Sequence, residues 1–86
     1  PLLYGDRFIA RLDPKADRKD RVFYVRNLFF EDDLIADDAM MNALGKQLRQ
    51  FATFNGCDTI VLEKCNQKKL RQQLRIMIRQ QSGLTN

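Results

Sequence analysis

Proton transfer near neutral pH most often rests on histidine, and this chain has none. Imidazole is therefore excluded as general base and as metal ligand, and Ser82 has no base to activate it. The clustered carboxylates Asp32, Asp33, Asp37 and Asp38 are the one group that could gather a divalent cation. No glycine-containing calcium loop accompanies them, and their place ahead of an apolar-periodic segment suits helix capping instead. Cys57 and Cys65 lie eight positions apart, which is neither a zinc-knuckle nor a redox-pair spacing. A disulfide is conceivable; two small buried thiols in a reducing cytoplasm are the more economical reading and place the protein in the cytoplasm. No catalytic residue, metal site or cofactor is expected.

What remains chemically active is positive charge. The chain carries 15 Lys and Arg against 11 acids, a net +4, and their distribution is uneven. Five of the 11 acids fall within residues 31–38, whereas six basic residues and no acid follow from Lys64 onward. Between Asp13 and Arg21 stand Lys15, Arg18, Lys19 and Arg21. Long cations on a β-ribbon can reach phosphates or a narrow minor groove. The competing reading is a solvated turn neutralised by Asp13, Asp17 and Asp20. A second stripe, Arg71, Arg75 and Arg79 with Lys68 leading in, repeats every four residues. It is either the wet face of an amphipathic helix or a secondary basic face toward an anionic partner, since like charges at this spacing repel.

These side chains need elements to hold them. Residues 6–13 read as a strand, with Phe8, Ala10 and Leu12 on one face and Arg7, Ile9, Arg11 and Asp13 on the other. Pro14 cannot donate to a ladder, so pairing should end there. Residues 21–30 form a second strand, and the hairpin 6–30 projects its basic connection. That strand is apolar on both faces, Val22, Tyr24, Leu28 and Phe30 on one and Phe23, Val25 and Phe29 on the other. Two helices cover one face, so the second should meet a missing domain or another copy.

The helix predicted over 38–55 carries Met40, Met41, Leu44, Leu48, Phe51 and Ala52 on one side, and Asn55-Gly56 stops it. Gly45 within it suggests close packing. Met40, Met41, Phe51 and Phe54 read as core rather than as a ligand pocket. Residues 59–64 form a short strand whose unbroken apolar run marks a buried central position. Asn66 caps a helix over 67–81 that ends near Ser82-Gly83, with Leu70, Leu74, Met77 and Ile78 as its apolar stripe. The order is ββαβα, a small α+β domain in which a hairpin extends into a mixed sheet carrying two helices. At 86 residues the chain is one domain, and it begins with Pro1 and no signal-peptide pattern. The expectation is a fragment of a longer protein, with no membrane span.

The run from Ile9 to Lys19, and within it Arg11-Leu12-Asp13, Lys15 and Arg18 leading into Val22–Val25, resembles the C-terminal portion of the AlkZ/YcaQ-type winged-helix DNA glycosylases. The resemblance extends through Leu28, the helix ending Leu48–Ala52 and the strand at Thr59–Leu62; the final helix is less similar. That family excises alkylated or crosslinked bases by hydrolysing the glycosidic bond without a metal, and a β-hairpin of its C-terminal part approaches the DNA. Its glutamine-centred catalytic motif lies upstream, and no residue here matches it. The resemblance therefore implies a DNA-contacting accessory domain of a DNA-repair glycosylase, itself without the catalytic half. Lys15 and Arg18 would face duplex DNA with help from Lys19, alongside Arg11 and Arg21, while Asp13 would orient the loop or pair with Arg11. Where the family often has glycine this chain has Arg21, which implies a differently shaped tip. The alternative is a protein-interaction or packing module that docks its apolar sheet face on another domain or a second copy.

Overall fold

β-branched and aromatic residues concentrate in Val22–Val25 and Phe29-Phe30, and this segment forms a strand. The computed structural model describes residues 2–5, 7–32 and 34–84, apart from the side chains of Leu3 and of residues 81–84. Its elements are β1 (Leu2–Tyr4), β2 (Arg7–Asp17), β3 (Val22–Phe30), α1 (Asp38–Phe54), β4 (Thr59–Cys65) and α2 (Lys68–Leu84). The four strands lie in the order β1-β2-β3-β4; the first two pairings are antiparallel and β3–β4 is parallel. This is the expected α+β architecture with one addition, the short strand β1, which pairs with β2. Asp6 and Asp33 lie outside the described residues.

Two bulges decide which side chains reach the core. Asp13 pairs with Asn27 and Pro14 with Val25, so Arg26 is the extra residue in β3. A bulge breaks the period of two. The buried set therefore runs Phe23, Val25, then Leu28 and Phe30, while Val22, Tyr24 and Phe29 lie on the opposite face. Strict alternation had grouped Val22 and Tyr24 with Leu28 and Phe30. The same bulge accommodates Pro14, whose missing N–H would interrupt a regular ladder, and β2 continues past it to Asp17. In β2 a second register shift places Ile9 and Ala10 both in the core, and Phe8, which alternation groups with Ala10 and Leu12, is 59% exposed.

Both helices pack on one face. Leu2, Ile9, Ala10, Phe23, Val25, Leu28, Phe30 and Leu62 share a single core with Met40, Met41, Leu44, Leu48, Ala52, Leu74 and Ile78. α1 begins where Asp37 accepts the Met40 N–H at 2.8 Å. It ends in a Schellman arrangement: Cys57 N–H to Ala52 O, Gly56 N–H to Thr53 O, and Gly56 at φ +75°. Gly45 is buried on its inner side.

Four further expectations change. β4 is an edge strand, not a central one, so Thr59, Val61 and Glu63 are exposed and Leu62 alone of its residues is buried. Asn66 does not cap α2: its Oδ1 accepts the Phe30 N–H at 2.8 Å and its Nδ2 donates to the Phe30 carbonyl at 2.9 Å. The first turn of α2 instead starts from the Gln67 carbonyl, which accepts from Arg71 N–H. α2 runs on to Leu84, beyond Ser82 and Gly83. Finally, Phe51 and Phe54 are not core: Phe54 is 90% exposed, and Phe51 lines a cleft of about 370 Å³ with Leu12, Pro14, Ala16, Phe23 and Asn55.

Candidate nucleic-acid interface

The hairpin owes its shape to three local devices. Asp17 Oδ1 accepts the Asp20 N–H at 3.1 Å and closes the turn after β2. Asn27 donates to Asp13 Oδ2 at 3.3 Å, a cross-strand tie beside the Arg26 bulge. Asp13 thus fixes a row of the ribbon and does not pair with Arg11. Arg21 takes φ +60°, so the turn keeps a left-handed residue without a glycine there. The tip is a four-residue loop, 18–21, and Lys15 sits on β2 opposite Tyr24.

The ribbon does not stand clear of the sheet. Val22 pairs with Thr59, and the Arg21 carbonyl accepts the N–H groups of both Asp58 and Thr59. Arg21 Nε meets Asp58 Oδ2 at 2.9 Å, the two side chains being 60% and 61% exposed. Thr59 Oγ1 donates to Asp58 Oδ1 at 3.1 Å, and Arg49 Nη1 donates to the Asp58 carbonyl at 2.7 Å. The Arg21 guanidinium first, and the Thr59 hydroxyl second, hold the Asp58 carboxyl below its ordinary value. Arg21 is therefore engaged within the fold.

The remaining candidates divide. Arg11 lies over the Phe29 ring, 5.0 Å from its centroid. Arg71 Nη1 donates to the Glu63 carbonyl at 2.7 Å; Arg75 donates to the Leu62 carbonyl at 3.4 Å and to Gln72 Oε1 at 3.0 Å. These two arginines thus tie α2 to two consecutive carbonyls of β4. Arg79 lines a shallow cleft with Ile60, Val61 and Ile78, and Lys68 is exposed. The periodic basic stripe is thus not one free surface. Lys15, Arg18 and Lys19 are exposed, and among the described residues no carboxylate pairs with them.

The outer sheet face is open. Phe8, Phe29 (40% exposed) and Val61 lie on it with Arg11, Lys15 and Tyr24. Cys57 is buried and Cys65 half-buried, and both are free thiols. Among the described residues no group of three or more His, Cys, Asp or Glu could hold a metal ion, and no helix is long and apolar enough to cross a membrane. The site residues that sequence reasoning missed are Asp58, Thr59 and Arg49. Asp58 meets Arg21 across 37 positions of sequence, and no local pattern announces it. Compared with family models, with curated proteins and with solved structures, the chain gives no significant match.

Proposed function

We propose that this chain is a DNA-contacting domain that offers Lys15, Arg18 and Lys19 to the phosphates of duplex DNA. The carrying observation is the contrast among its cations. Arg21, Arg71 and Arg75 are bound within the fold, whereas these three cluster at one end of the β2–β3 ribbon without an acidic partner among the described residues. Of the nearby acids, Asp17 closes the turn and Asp13 holds Asn27, and Asp20 makes no ion pair with these cations. The motif resemblance supports a finer reading, an accessory domain of a DNA-repair glycosylase for alkylated or crosslinked bases, with catalysis elsewhere in the parent chain. Base removal needs a pocket for a flipped nucleotide, and the Lys/Arg tip would position the duplex rather than cut it.

Each neutralised phosphate contributes about 0.9 to the log–log salt slope on duplex DNA, so three contacts contribute about 2.7. Fluorescence anisotropy with duplex DNA at several salt concentrations should show the Lys15→Ala/Arg18→Ala/Lys19→Ala variant losing both affinity and about that much slope. Equal slopes for the variant and the parent sequence would remove the hairpin from DNA binding.

A second reading, a packing module, is favoured by the open face, where Phe8 is 59% exposed beside Phe29. It concerns the sheet face opposite the core, which Lys15 shares, so docking there competes for Lys15 but not for the tip residues Arg18 and Lys19. Light scattering across a concentration range tests it: self-association that Phe8→Ser abolishes supports docking of a second copy.

A further inference from the structure

We propose that Asp58 is a positioning residue for the hairpin, holding Arg21 so that the neighbouring cations Arg18 and Lys19 point in a fixed direction. This rests on the DNA-contacting reading above and adds to it a residue outside the ribbon. The joint has five hydrogen bonds. The Asp58 and Thr59 N–H groups donate to the Arg21 carbonyl, Arg21 Nε donates to one carboxylate oxygen of Asp58, and Thr59 Oγ1 donates to the other. Arg49 of α1 donates to the Asp58 carbonyl and ties the joint to the helix layer.

The geometry explains why a side-chain latch belongs here. A non-glycine residue at φ +60° is held there by its surroundings, because its own preference is elsewhere. Arg21 is the last residue of the tip, directly after Arg18, Lys19 and Asp20. Releasing its side chain leaves only the backbone hydrogen bonds to the Arg21 carbonyl to hold the turn and so loosens the direction of the two cations before it. Arg21 itself commits its Nε–H to Asp58. An exposed ion pair contributes little to global stability, so the latch acts on local geometry more than on folding.

The test combines two readouts on the full 86-residue chain. Without DNA, amide chemical shifts and hydrogen exchange at residues 18–21 should change in Asp58→Ala. They should return toward the parent in Asp58→Asn, which keeps an acceptor oxygen for Arg21. With a short duplex DNA, Asp58→Ala should bind about threefold or more weakly, a coupling typical of residues in one hydrogen-bonded network. In the Lys15→Ala/Arg18→Ala/Lys19→Ala background the same substitution should have no further effect. Unchanged amides at 18–21 in Asp58→Ala would overturn the latch, as would an equal loss of affinity in both backgrounds. If the triple variant itself binds like the parent, the DNA reading fails, and the amide readout alone then decides whether Asp58 orients the tip.

Discussion

Replacing Asn66 by Ala removes a side chain that stands in for a strand neighbour. Its amide takes both backbone groups of Phe30, at 2.8 and 2.9 Å, while its own N–H reaches the Leu28 carbonyl at 3.3 Å and remains in the variant. Each lost hydrogen bond costs about 1 kcal/mol net, and a buried group left unsatisfied costs about 1–3 kcal/mol. Phe30 is fully buried, but Asn66 is exposed, so water can reach part of the vacated position. The expected destabilisation is therefore about 2–3 kcal/mol, out of a total that for a chain of this size is on the order of 4–13 kcal/mol. Urea denaturation monitored by far-UV circular dichroism should show a lower midpoint with an unchanged m-value. Asn66→Asp should fare no better near neutral pH, because its second oxygen faces the Phe30 carbonyl without a proton to donate. A midpoint shift equivalent to less than about 0.5 kcal/mol, the scatter expected of an ordinary surface substitution, would refute the reasoning.

Leu44→Ala should cost about 2–5 kcal/mol, since Leu44 is fully buried between the layers, whereas Phe54→Ala at a 90% exposed site should stay within about 0.5 kcal/mol; thermal melts compare the two. Arg21→Gly should change global stability by no more than about 1 kcal/mol, because relief of the left-handed backbone offsets loss of the ion pair and added chain freedom. Arg21→Val should be clearly worse, and urea midpoints would show it. The depressed Asp58 carboxyl means that its contribution is present above the usual aspartate value and fades as pH falls through the lower folded value. The Asp58 side-chain carbon resonance should therefore titrate below that of an unfolded aspartate, and Arg21→Ala should move it upward.

Local signals were legible, and long-range ones were not. Asp37 and Asn55-Gly56 announce the ends of α1 because a cap bonds to residues three to five positions away. The apolar stripes of both helices follow 3.6 periodicity, and Leu44, Leu48, Leu74 and Ile78 are buried as their spacing implies. The bulges at Ile9 and Arg26 escape such a reading, since an extra residue is extra only relative to the partner strand. That is why the faces of β3 were assigned correctly up to Val25 relative to one another and inverted beyond it. Asn66 looked like a cap because asparagine commonly is one; its partner Phe30 lies 36 positions earlier. At the candidate site, sequence located the cluster of cations but not their division of labour. The carbonyls that bind Arg71 and Arg75 belong to β4, and Asp58 reaches Arg21 only through the parallel pairing of β3 with β4.

The proposed DNA contact lies at the end of the β2–β3 ribbon. Titrating isotope-labelled chain with short duplex DNA and following backbone and side-chain resonances tests this directly. Shifts concentrated at Lys15, Arg18 and Lys19, with Arg71 and Arg75 unmoved, are the expected result. Shifts that gather on α2 or on the Phe8–Phe29 face while the ribbon end stays silent would contradict it.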